Sequence, residues 1–65
     1  MIKTAIRFPN NTVAVFDGRG SQIPAYQGQY EEKRGSILKD APQDAIFGYF
    51  FDGGAEFQIV SRAEW

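Results

Sequence analysis

Four aspartates stand where a turn or a helix end would present them: Asp17, Asp40, Asp44 and Asp52. The chain has no histidine and no cysteine. A general base would therefore have to be Asp, Glu, Lys or Tyr. Asp40 and Asp44 flank Pro42 closely enough to lie near each other, as an acid–base pair requires. Asp17 and Asp52 each close an apolar run just before a glycine. Ordinary chemistry accounts for all four: Asp before Gly is a turn former, and Asp near a helix end is simply solvated. A chain of 65 residues also has little length from which to build a catalytic pocket. No catalytic residue is assigned, and the chain is expected not to be an enzyme.

The remaining site chemistry is equally restricted. Without His or Cys there are no disulfides, zinc fingers, iron–sulfur ligands or Ser-His-Asp triads. An oxygen-only metal site needs several converging carboxylates, as in an EF-hand loop, and no such spacing occurs. Gly18-Arg19-Gly20-Ser21 is a glycine-rich loop, yet it lacks the Gly-Lys-Ser/Thr ending of a phosphate-binding Walker motif. It reads as a turn. No metal and no cofactor is expected.

Seven Lys/Arg against eight Asp/Glu give a net charge of −1. Duplex-DNA binding by phosphate neutralisation needs a basic excess, which is missing. A polybasic membrane anchor is missing too. No apolar run approaches the roughly 18 residues of a membrane span. The start, Met1 to Arg7, alternates in polarity and has no apolar signal-like core. A soluble cytoplasmic protein is expected, with nucleic acid a poor partner and a membrane none.

The elements that would position any site follow from periodicity. Residues 2–8 alternate, which is the period of a half-buried strand. Pro9-Asn10-Asn11-Thr12 reads as a turn, because Asn tolerates positive φ. Thr12 to Phe16 is a second, β-branched strand. A two-residue loop at Asn10-Asn11 would place Phe8 opposite Val13 and Ile6 opposite Val15. Residues 21–28 read as an irregular connection, with Ile23 and Tyr26 tucked inward. From about Gln29 the apolar period becomes helical: Tyr30, Ile37, Leu38 and Ala41 share one face. Glu31 and Glu32 near its start and Lys39 near its end suit the helix dipole, and Pro42 stops it. Gly35 weakens it by about 1 kcal/mol relative to Ala. Ala45 to Asp52 and Ala55 to Val60 flank Gly53-Gly54 and form a second hairpin signal. A two-residue loop there pairs Phe50 with Phe57, Gly48 with Ile59, Tyr49 with Gln58, Phe47 with Val60 and Phe51 with Glu56.

These elements predict a single α+β domain over residues 1–65, of order ββαββ. It would be a small two-layer fold, an antiparallel sheet with one helix on one face, flat or curled into a partial barrel. The face toward the helix would gather Ile2, Ile6, Phe8, Val13, Val15, Ile46, Phe50, Phe57 and Ile59. The opposite face would carry Phe16, Phe47, Tyr49 and Phe51 beside Lys3 and Arg7. Large apolar patches on soluble monomers mark contact surfaces. Those six residues are the candidate binding surface. Phe47→Ser and Tyr49→Ala would then abolish partner binding without unfolding the chain. Three roles compete for the surface: closure by residues 18–28 and Trp65, packing of two copies, or a site for another protein or unstacked bases. A protein–protein interaction module leads. Single-stranded nucleic-acid binding and self-association are the alternatives.

One resemblance covers nearly the whole chain. Met1 to Arg7, Val15-Phe16-Asp17, Ile23-Pro24, Tyr26-Gln27-Gly28, Tyr30-Glu31-Glu32, Ile37 to Pro42, Phe51-Asp52 and Glu64-Trp65 resemble short uncharacterised proteins of clostridial-type bacteria. Many of those are encoded in prophages or mobile elements. The resemblance implies a complete chain and brings no activity or catalytic motif. Arg34-Gly35 departs from the stronger helix former that such proteins carry there, which puts helix stability in question and leaves the fold alone.

Overall fold

The computed structural model describes residues 1–50 and 56–65. The elements run β1 (Ile2–Arg7), β2 (Thr12–Asp17), a 3-10 turn (Pro24–Tyr26), β3 (Gly28–Gln29), α1 (Tyr30–Asp40), β4 (Ile46–Phe50) and β5 (Phe57–Val60). They build one sheet in the order β3-β2-β1-β4-β5. The α+β class stands, and the order is ββαββ with one added two-residue strand, β3, ahead of the helix at the end of the segment expected to be an irregular connection. The sheet, however, is mixed rather than antiparallel throughout, because β1 and β4 pair in parallel. The cause is the connection: β3 reverses the chain beside β2, α1 reverses it again, and β4 enters alongside β1 in the same direction. The sheet is open, with β3 and β5 as its two edges, so the partial barrel is not formed.

The first hairpin differs from expectation by one residue. Its loop is Pro9-Asn10-Asn11, three residues rather than two, closed by Phe8 N–H to the Thr12 carbonyl at 2.8 Å. Only Asn11 takes positive φ, at 68°. This is a type I turn ending in one left-handed residue, the usual three-residue hairpin loop. The Asn10 side chain fixes it, accepting from Thr12 Oγ1 at 2.6 Å and Thr12 N–H at 3.2 Å. Arg7 therefore faces Val13, and Ala5 faces Val15. A one-residue slip changes which side chains share a face. Ile6 and Phe8 leave the helix side, while Val13 and Val15 stay on it. A bulge between Ile2 and Thr4 then returns Ile2 to the helix side. Ile2 and Ala5, three residues apart, are both buried.

The helix begins and ends where its sequence signals place it. The Tyr30 N–H donates to the Asn11 carbonyl at 2.9 Å, which ties the helix start to the first hairpin. Its last turn is capped from a distance. Arg62 donates to the carbonyls of Leu38 (2.9 Å), Ala41 (3.2 Å) and Pro42 (2.6 Å). A cation at a helix C-terminus satisfies orphan carbonyls and complements the dipole. The helix buries Ile37 against the sheet and leaves Gly35 on its open side. A methyl at Gly35 would meet nothing within 4 Å. Gly35→Ala is therefore expected to stabilise the chain by about 1 kcal/mol. A thermal melt should rise by roughly 4–8 °C, the shift such a gain gives a domain of this size.

The core lies between α1 and one sheet face: Ile2, Ala5, Val13, Val15, Ile37, Ala41, Phe47 and Trp65. Ile23 and Tyr26 pack against it from the connection, as expected. The second hairpin has the four expected pairs, Phe47–Val60, Gly48–Ile59, Tyr49–Gln58 and Phe50–Phe57. Its loop and Phe51–Glu56 pair involve residues outside those described. Its faces are reversed from expectation. Phe47 points into the core, where its ring lies 5.1 Å from that of Trp65. Tyr49 packs on the same side. Ile46, Phe50, Phe57 and Ile59, expected under the helix, take the other side by alternation.

Candidate functional site

The reversed registers leave an apolar sheet face with no helix on it. Its members follow from the pairings: Ile6 from β1, Phe16 from β2, Ile46 and Phe50 from β4, Phe57 and Ile59 from β5. Phe8 joins from the hairpin loop, stacked on Phe50 at 5.7 Å between ring centroids and 13° between planes. Phe57 meets Phe50 at 5.2 Å and 56°. The three phenyl rings thus form a row along one end of the face. Offset stacks and tilted pairs of this kind are favourable beyond their buried area. Phe57 also lies over Gly48, where the missing side chain gives the ring its seat.

Exposure rises toward β5. Ile46 is 37% exposed, Phe57 38% and Ile59 66%. The strand positions on this face are all uncharged: Thr4, Ile6, Thr12, Ala14, Phe16, Ile46, Gly48, Phe50, Phe57 and Ile59. Taking aromatic side chains at 150–250 Å² each, the accessible apolar patch is on the order of a few hundred Å². That is the size at which a monomer's largest patch is often functional.

The six residues expected to form a binding surface do not lie together. Phe16 is half-buried on the helix-free face. Lys3 is exposed in the bulge at its end. Arg7 sits on the helix side, its guanidinium 3.8 Å from the centroid of the Tyr30 ring, and donates to Asn11 Oδ1 at 2.8 Å. Tyr49 is half-buried against the core, and Phe47 is 2% exposed within it. Phe51 lies outside the described residues. Phe47→Ser would therefore damage the core and cannot serve as a binding test. Apart from Phe16, the apolar residues of the open face (Ile6, Phe8, Ile46, Phe50, Phe57 and Ile59) are ones whose hydrophobicity predicts a place under the helix. The one sequence signal for their exposure is the three-residue hairpin loop, which sets the register of β1 on β2.

The aspartates serve local structure. Asp17 accepts from the N–H groups of Arg19 (2.9 Å) and Ser21 (3.0 Å), organising the turn. Asp40 accepts from the Tyr26 hydroxyl at 2.5 Å. That hydrogen bond to a carboxylate holds the Tyr26 phenol above its ordinary pKa, since ionising it would place two anions together. Asp44 is exposed, and Asp52 is outside the described residues. Among the described residues no three acidic side chains converge on a metal-sized site, and no helix is long and apolar enough to cross a membrane.

No protein-family model matches the chain. No curated protein and no solved structure matches it either.

Proposed function

We propose that the chain is a small non-enzymatic protein-binding module that docks an uncharged, apolar protein surface onto the helix-free face. The observation that carries this is the composition of that face: a phenylalanine row and exposed isoleucines, with no charged strand position. Phosphate backbones need several cationic partners, and among the described residues this face has only Lys3 at its end, so single-stranded nucleic acid fits it poorly despite the stacked rings. A cytoplasmic setting within a prophage or mobile element is the one the sequence resemblance supports.

The test uses the tagged chain in lysate of the native host, with and without nuclease. Ile46→Asp places a charge in the patch at an already exposed position. It is expected to weaken capture of the bound protein at least tenfold, about 1.4 kcal/mol, while leaving the melt cooperative. Capture should survive nuclease and about 0.5 M salt, because an apolar contact is not screened. Capture lost with nuclease would transfer the face to nucleic acid. Capture unchanged in Ile46→Asp would remove the face as the docking site.

A further inference from the structure

The two edges of the sheet are protected unequally. β3 is two residues long, which leaves little edge to pair. β5 has four residues, Phe57-Gln58-Ile59-Val60, and neighbours only β4 among the described residues. It contains no Lys, Pro or acidic residue, the usual devices that blunt an edge. Its backbone directions are readable. The Gln58 carbonyl oxygen lies 2.7 Å from where a Cβ on Gly48 would sit, so it points at β4. Backbone groups alternate along a strand, so the N–H and C=O of Phe57 and Ile59 point away from β4, where no strand among the described residues pairs with them.

We infer that this edge pairs with β5 of a second copy, antiparallel about a two-fold axis that passes beside Gln58. This goes beyond the docking reading, since it uses the edge and not the face. In this register Phe57 of each copy lies opposite Ile59 of the other. Each Phe57 N–H donates to an Ile59 carbonyl, and each Ile59 N–H to a Phe57 carbonyl, so all outward groups of the two residues are satisfied reciprocally. The side chains form two aromatic–β-branched cross-strand pairs, a favoured combination, and Ile59 is the most exposed hydrophobic residue of the described strands.

Charge agrees with this register. Glu56 is exposed at the start of β5. It lies across from Val60 of the second copy, an uncharged residue. No like charges oppose each other. Area sets the strength: a four-residue edge buries well below the roughly 800 Å² per partner of a standard interface. The dimer is therefore weak, half-formed on the order of 0.1 mM. It joins the two helix-free faces into one continuous surface.

Sedimentation from about 10 μM to about 1 mM tests this, over the range where so small an interface would titrate. The mass is expected to rise from 7.3 kDa toward twice that value. Ile59→Pro removes an outward N–H at an edge position where proline is tolerated, and Ile59→Lys adds an edge charge. Both should remain monomeric at the highest concentration with an unchanged circular dichroism spectrum, while Ile46→Asp still dimerises. A constant monomer mass would overturn the inference. So would dimers that persist in both Ile59 variants, or that vanish only in Ile46→Asp. Should the Ile59 variants fail to fold, a mixed-label NMR sample of the unaltered chain decides: intermolecular Phe57–Ile59 contacts support the pairing, and their absence refutes it.

Discussion

Trp65→Ala is expected to remove about 3–5 kcal/mol of stability, the cost of emptying a buried aromatic site. That is a large part of what a chain of 65 residues has, at roughly 0.05–0.15 kcal/mol per residue. The ring is 1% exposed and sits where helix and sheet meet. It lies edge-on to Tyr30 at 5.4 Å and tilted on Phe47 at 5.1 Å. Its Nε1 donates to the Gly48 carbonyl at 2.9 Å, and its own main-chain carbonyl accepts from the Tyr30 hydroxyl. One residue therefore joins the start of α1 to the middle of β4. Trp65→Phe keeps an aromatic body but leaves the Gly48 carbonyl without its indole donor, and should cost distinctly less. The measurement is a urea titration followed by circular dichroism, since the mutation removes the only tryptophan fluorophore. A loss of under about 1 kcal/mol, the size expected for a surface substitution, would contradict the anchoring role.

Gly48→Ala is expected to destabilise by about 1–3 kcal/mol, the range for overpacking a well-filled site. An added Cβ would stand 2.4 Å from Phe57 Cζ and 2.7 Å from the Gln58 carbonyl oxygen. The ring can swing away. The carbonyl belongs to the β4–β5 ladder and cannot move without shifting the strand. Combining Gly48→Ala with Phe57→Ala should therefore restore only part of the loss, because the backbone contact persists. Full restoration in a double-mutant cycle would show that the ring alone sets the constraint. The same chemical change at Gly35 should have the opposite sign. There the methyl meets open space, and only the helical backbone responds.

Much of this architecture is legible from residue types. The helix is bounded by Glu31, Glu32, Lys39 and Pro42, each acting through a known end effect. Gly53-Gly54 between two apolar runs correctly sets all four described pairs of β4 and β5. The failure lies in deciding which face is which. Asn10-Asn11 supports either a two-residue or a three-residue loop, and the bond from the Asn10 side chain to Thr12 selects the longer one. In β4 both parities are apolar, Ile46, Gly48 and Phe50 against Phe47 and Tyr49, so alternation carries no sign. The choice is made from outside the strand. Trp65, Tyr30 and Ile37 gather on one side and offer Phe47 a place there, whereas Gly48 admits Phe57 on the other. The same ambiguity explains why Phe47 and Tyr49 lie with the core and not on the open face. Aromatic composition identified a strand with too many rings for one core, while long-range packing decided which rings stayed outside.

The parallel contact between β1 and β4 also dictates the order of events as the chain acquires its structure. Each hairpin pairs strands close in sequence, β1 with β2 across three loop residues and β4 with β5. The middle of the sheet joins Thr4 to Ile46 and Arg7 to Tyr49, segments separated by most of the sequence. Closing so long a loop costs entropy before any contact rewards it, so this step limits the rate. Until it happens, the edge of β1 that takes β4 is unpaired, and Ala5 and Phe47 are not yet neighbours.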